Sequence, residues 1–287
     1  MEYLFHIIIM LNIYIMLTLS ANLTVGMANL LTMCQAAFYG IGAYIGTYFL
    51  MQFNLPFLVI TGLVVLFTGL FSFLVSFASV RLKGDYFVIA TMGFQLIVYT
   101  ILYNCTDVTR GPYGIPGIKL FGLFELSGVY AYLAFSLILM GVVVFLFHHL
   151  VESPFGRVLN AIRADEITVK AMGRNTVLFK SLAFFLSAAV AGLAGVIYAS
   201  YVSYIDPTSF TLDESIFILS ALFIGGIGNT KGPVLGALFV VLLPELLRFV
   251  GLPDTIAANL RQIIYGLALI LVMYYRPQGL WGKAILK

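Results

Sequence analysis

Residues 58–70 read LVITGLVVLFTGL, an apolar run without a charge and without alternation of apolar and polar types. A strand that crosses a membrane needs about ten residues of alternating character, so this run reads as helix. The pattern extends outward. No Asp, Glu, Lys or Arg occurs from residue 3 to residue 80, room for three helical spans of about 20 residues each. Over the whole chain, hydrophobic residues make up 62%, charged residues 9%, and mean hydropathy is +1.06. Soluble domains carry about 25% charged residues. In lipid, backbone polar groups must be satisfied internally, which leaves helices as the spanning form here. The expected fold is all-α: a polytopic membrane helix bundle of about 8–10 spans, with residues 1–287 forming one transmembrane domain. The net charge of +3 is small and needs no acidic partner, and no basic stripe suggests nucleic acid; the spans make membrane lipid the expected surround.

Nine spans are predicted at residues 3–20, 27–51, 56–80, 87–103, 129–150, 178–201, 216–227, 233–247 and 258–275. The N-terminal run holds Glu2 and no early Lys or Arg, so it lacks the positive region of a signal peptide and reads as a span. The seventh span is too short to cross alone and is expected to be re-entrant, or to begin with Asp213 and Glu214 at the interface. Pro56, Pro112, Pro116, Pro154, Pro207, Pro233, Pro253 and Pro277 fall in loops or at span starts. Pro244 lies inside a span, where it should bend the helix.

Charge sets the orientation. With residues 152–180 inside, Arg81, Lys83, Arg157, Arg163, Lys170, Arg174, Lys180, Lys231, Arg276, Lys283 and Lys287 are also inside, against Arg110, Lys119, Arg248 and Arg261 outside. The excess of basic residues marks the cytoplasmic side and places the C-terminus there.

The cytoplasmic loop 152–180 contains a predicted short helix at residues 165–172. Asp165 and Glu166 open it, as the helix dipole favours. Glu166 and Lys170 stand four apart in the stabilising order, and Gly173 is placed to end it in the left-handed conformation. Ile167 and Ala171 share a face with Met172 nearby. The physics alone leaves two readings, a surface helix or a plug for a cytoplasmic partner. The external loop 104–127 is rich in turn formers. Small residues four apart (Gly42 and Gly46, Ala188 and Gly192, Ala191 and Gly195, Gly232 and Gly236) predict close helix packing.

Enzyme chemistry has no foothold. No zinc-protease pattern occurs, and the adjacent His148 and His149 point about 100° apart on a helix, which suits an interfacial position. GGIGNTKG at residues 225–232 departs from the phosphate-loop pattern, since Lys231 follows Thr230 and precedes Gly232. Any ATP would be bound by another subunit. Cys34 and Cys105 are expected to be unbridged. Glu245 is expected to pair with Arg248, and Asp206, Asp213 and Glu214 to be solvated on the external side. Gln35, Tyr39, Gln95 and Asn104 stand out in apolar helices; each either lines a hydrophilic path or bonds a neighbouring helix.

Seven stretches together resemble one family. LTMCQAAFYGIGAY (31–44), RLKGDYF (81–87), TRGPYGIPGI (109–118), FGRVLNAIRADEITVKAMG (155–173), AFFLSAAVAGLAGVIY (183–198), GGIGNTKGPVLG (225–236) and YYRPQGLWG (274–282) are similar, in that order, to signatures of permease subunits of branched-chain amino-acid ABC importers. RLKGDYF resembles the M-type paralogue. Gln35 stands where that family often carries histidine. The resemblance implies a type II-like importer permease in the bacterial inner membrane, working with a second permease of the H-type, two ATPases and an external solute-binding protein. ATP and Mg would be bound by the ATPases, and this chain would hold no cofactor. It also implies that Arg163, Asp165, Glu166, Ile167, Lys170, Ala171, Met172 and Gly173 form the coupling element that rests on an ATPase. The contrasting reading is a self-contained secondary transporter or channel, suggested by the short seventh span. Substrate identity, among branched-chain amino acids, urea, amides or other amino acids, is not written in these motifs.

Overall fold

The computed structural model describes residues 2–53, 56–79, 82, 84–118, 129–249, 254–275 and 279–281. In chain order the helices are α1 (Glu2–Ala21), α2 (Gln35–Phe53), α3 (Phe57–Ser79), α4 (Asp85–Asn104), the single turn α5 (Thr106–Thr109), α6 (Val129–Glu152), α7 (Pro154–Ala164), α8 (Glu166–Ala171), α9 (Thr176–Val202), α10 (Leu212–Gly225), α11 (Lys231–Phe249) and α12 (Asp254–Tyr275). The chain is a polytopic helical membrane protein. Five segments are each long and apolar enough to cross a bilayer among the described residues: Tyr3–Met27, Phe57–Phe77, Asp85–Asn104, Tyr132–Glu152 and Thr176–Val202.

Helix α9 is the axis of the bundle. Two-thirds of its membrane window (67%) is buried, against 17% for the window of α6. It packs on α1, α2 and α3. Glycine makes the α2–α9 contact possible. A Cβ built on Gly195 would lie 2.1 Å from the Tyr39 carbonyl oxygen and 2.7 Å from the Ala43 nitrogen, and one on Gly42 would lie 2.3 Å from the Gly192 Cα. Lipid tails offer no hydrophobic drive between helices, so such backbone approach is a main source of attraction. The predicted small-residue pairs therefore sit at a real interface. The same holds for α10 and α11, where Cβ atoms on Gly225 and Gly236 would run into the Gly232 and Ala221 carbonyls.

Two faces are defined by loop contacts. On one, strand β1 (Ile115–Pro116) pairs antiparallel with β2 (Tyr204–Ile205), joining the loop after α4 to the segment after α9. On the other lie the charged α7–α8 loop and the turn between α10 and α11, which meet where Gly228 abuts the Arg163 guanidinium. Residues 119–128 of the predicted external loop lie outside the described residues, as do Arg81 and Lys83 of RLKGDYF and Arg276 to Gln278 near the C-terminus.

Several expectations are corrected. The second span does not begin at residue 27. Instead α1 runs on as a π-helical turn, Asn22–Met27, residues 28–34 are unwound, and α2 starts at Gln35. The seventh span is α10, whose 14 residues give about 21 Å at 1.5 Å each. It runs from the β1–β2 face to the charged-loop face rather than re-entering, and the 3-10 turn Pro207–Phe210 extends it. The charged loop holds two helices, not one. Ser153 caps α7 by accepting from the Gly156 N–H, with Pro154 in its first turn. Glu214 is not solvated; it is half-buried and accepts a hydrogen bond from the Tyr14 hydroxyl at 2.9 Å. Glu245 accepts one from the Tyr3 hydroxyl, and the Arg248 side chain lies outside the described residues. Pro244 does lie inside α11. His148 reaches Glu152 at 3.4 Å in the last turn of α6. Cys34 is buried, Cys105 exposed, and neither is bridged.

Gly195→Ala should force α2 and α9 apart, at the cost of about 1–3 kcal/mol that overpacking incurs. The melting midpoint in detergent should fall, while Gly62→Ala, whose Cβ meets nothing within 4 Å, should not lower it.

Candidate functional site

Helix α2 begins inside the bundle. Gln35 reaches Ser187 of α9, which lies 11 residues beyond Thr176, roughly 16 Å along the helix. The first N–H groups of a helix have no partner of their own, and at membrane depth no bulk water can serve them. Other helices supply the acceptors. The Ala36 N–H donates to Ser215 Oγ of α10 at 3.0 Å. The Ala37 N–H donates to Gln95 Oε1 of α4 at 2.6 Å, and the Phe38 N–H to the Cys34 carbonyl at 3.4 Å. Just upstream, the Met33 N–H donates to Thr91 Oγ1 at 3.2 Å.

The pathway candidates separate on this geometry. Gln35 is buried and its Nε2 donates to Ser187 Oγ at 3.0 Å and Thr24 Oγ1 at 3.4 Å, so it ties α1, α2 and α9 together. Gln95 is buried too; its Nε2 donates to the Phe210 carbonyl at 2.8 Å. Tyr39 lies against Phe210, ring centres 5.0 Å apart, and against Tyr198 at 5.5 Å. The Phe210 ring has room because Gly40 faces it, where a Cβ would come within 2.9 Å. Gln95, Tyr39 and Phe210 thus form one cluster at the β1–β2 side of the α2 start. Asn104 is not part of it. It is exposed at the end of α4 and bonds the Thr100 carbonyl of its own helix at 2.8 Å.

The charged loop is built as a separate unit. Asp165 caps α8 by accepting from the Ile167 and Thr168 N–H groups at 2.9 and 3.2 Å. The Thr168 hydroxyl and these amides hold its carboxyl below the usual carboxylate range. Glu166 pairs with Lys170 at 2.8 Å, with Lys180 of α9 at 2.7 Å, and accepts from the Thr176 hydroxyl at 3.1 Å. Partial burial acts to raise its pKa, but the bonds from Lys170, Lys180 and Thr176 prevail and bring it down to about 2. Gly173 ends the helix at φ +77°. Ile167 and Met172 are 78% and 75% exposed, Ala171 is also exposed, and Val169 is buried. Arg163, in the last turn of α7, donates to the Gly26 carbonyl at 2.6 Å, and burial pulls its pKa down. The Gly26 region is tied in turn to the α10–α11 turn, because Asn22 accepts from the Gly228 N–H at 2.9 Å and donates to the Asn229 carbonyl at 2.7 Å.

Sequence reasoning missed α7, Lys180, Ser187, Ser215, Phe210 and the unwound segment 28–34. For α7 a local signal existed, Ser-Pro at its start and the spacing of Leu159 and Ile162. The others are acceptors or donors reached only through tertiary contacts.

The family described as the branched-chain amino acid transport system permease component matches residues 3–273. The chain is 34% identical to the high-affinity branched-chain amino acid transport permease LivM of Salmonella typhimurium, over 93% of this chain and 67% of the relative. Identity to LivM of Escherichia coli is also 34%, with the same coverage. A protein of Methanocaldococcus jannaschii described as a probable branched-chain amino acid transport permease, LivM, is 33% identical over 70% of this chain and 61% of its own length.

The depressed Glu166 pKa fixes a pH dependence. Its folded value lies below the ordinary 4.5, so its contribution is complete above that value and is lost as pH falls through about 2. The melting midpoint of wild type should exceed that of Glu166→Gln by a constant margin above pH 4.5, and the margin should vanish toward pH 2.

Proposed function

The chain belongs to the family of branched-chain amino acid transport permease components, and from that premise we propose that it is one of two permeases of an ATP-driven importer. Its cargo is branched-chain amino acids, the class named for its relatives. It sits in the bacterial plasma membrane with loop 152–180 and the C-terminus in the cytoplasm, and residues 1–287 act as one permease domain. Its partners are a second permease of the H-type, two ATPases and an external solute-binding protein. ATP and Mg belong to the ATPases, whose hydrolysis supplies the energy.

The observation that carries this reading is the form of the charged loop. Helices α7 and α8 stand as a short, internally capped unit whose apolar residues Ile167, Ala171 and Met172 are open to a partner. A monomer gains nothing from that exposure; an ATPase groove would cover it. Motion imposed on α8 has two rigid routes inward. One runs through the Glu166–Lys180 pair into α9, and from α9 through the glycine contact into α2. The other runs through Arg163 to Gly26, at the end of the first span. Both routes end on either side of the unwound segment 28–34. A change at the ATPase thus bears on the part of the bundle where the backbone is least regular.

The test is ATP-dependent leucine uptake by the purified complex in proteoliposomes. Ile167→Asp with Ala171→Trp should cut uptake at least about tenfold, equivalent to 1.4 kcal/mol, while the chain still inserts and basal ATP hydrolysis persists. Undiminished uptake in that variant would remove the docking role. Gradient-driven uptake by the chain alone would replace the importer with a self-contained transporter.

A further inference from the structure

The unwound segment between the π-helical turn and α2 has a use that the coupling mechanism leaves open. Asn29 reverses the chain at φ +54°. The Leu30 N–H then donates to the Thr24 carbonyl at 3.0 Å, so residues 28–34 climb back beside the last turns of α1. They alternate: Asn29 and Leu31 are exposed, whereas Leu30, Thr32 and Cys34 are buried. Their N–H groups at Ala28, Leu30, Met33 and Cys34 are all hydrogen-bonded. The Cys34 carbonyl accepts from the Phe38 N–H, and the N–H groups of Asn29, Leu31 and Thr32 have no hydrogen bond among the described residues. Among the described residues no hydrogen bond reaches the carbonyl oxygens of residues 29–33. The segment starts next to Gly26, at the charged-loop face where Arg163 binds, and ends at Gln35, which reaches Ser187 inside the bundle; it therefore runs from the water interface inward, with Asn29 and Leu31 on its exposed side. A neighbouring carbonyl shows what suits such oxygens. That of Gly26 is held by a cationic donor, Arg163, at 2.6 Å.

We propose that residues 29–33 line the translocation path, and that their carbonyls, with the Asn29 side chain, form a station for the ammonium group of the amino acid in transit. Unwound carbonyls within a spanning helix serve cations in this way by general principle, and a weak station of several oxygens permits release as well as capture. The proposal rests on the importer reading above and names the residues that reading lacks.

The test uses the full complex in proteoliposomes, with Cys105→Ser as background and single substitutions Asn29→Cys, Leu31→Cys and Leu30→Cys. ATP-dependent leucine uptake is measured first. Each protein is then treated with membrane-impermeant methanethiosulfonates, one cationic and one anionic. Positions 29 and 31 should react and lose uptake, and leucine should slow that reaction. The cationic reagent should be faster by about tenfold, the lower end of electrostatic focusing. Position 30 should stay unmodified. Modification of 29 and 31 only by a lipid-soluble maleimide would place this face against lipid or the second permease and overturn the lining. Leucine protection with equal rates for the two reagents would overturn the ammonium station. Absent uptake by the wild-type complex would instead defeat the importer reading, so the two failures are distinct.

Discussion

A helix that starts inside a bilayer begins with N–H groups that need acceptors, and α2 is such a helix. Leaving one such group buried and unpaired costs about 1–3 kcal/mol. The chain meets this demand with Ser215 from α10 and Gln95 from α4, and Gln35 adds ties to Ser187 and Thr24. Four helices are thereby fixed around one point. The polar residues of the interior are acceptors and donors for backbone and neighbouring helices before they are anything else, which is why Gln35 and Gln95 are buried and bonded rather than open to solvent.

From that point the architecture extends along α9. Glycine lets α2 and α9 touch backbone to backbone, so they move as one body rather than through a cushion of side chains. At its foot α9 carries Lys180, the partner of Glu166. The charged loop 152–180 and the start of α2 are thus opposite ends of a single stiff member. Arg163 gives a second fixed length, from α7 to the turn that closes α1.

Much of this was legible in the residues. Span α3 matches its expected limits within a residue, because Pro56 and Arg81 bracket an unbroken apolar run. Helix α8 carries its own signals: acidic residues at its start, a Glu–Lys pair four apart and a terminal glycine, with Asp165 serving as the cap rather than as the first helical residue. The break at 28–34 was not legible. Its residues are ANLLTMC, apolar enough to continue a span, and what stabilises the break is supplied by Thr91, Gln95 and Ser215 far along the chain. Local pattern reports local preference; a broken helix held by remote side chains leaves little trace in it. Glu214 was misjudged for the same reason, since Tyr14 lies 200 residues away.

The distances along the chain between α2 and its caps also impose an order on biogenesis. Gln95 lies 58 residues beyond Ala37, and Ser215 lies 179 beyond Ala36. At a synthesis rate of 5–20 residues per second, the second acceptor emerges roughly 9–36 s after the N–H it serves. During that interval the Ala36 N–H has no permanent partner. The nascent segment must wait where water or the insertion machinery satisfies it, and it takes its final depth only when α10 arrives. Insertion of this chain is therefore not a simple procession of spans from first to last: its second helix is finished by its tenth.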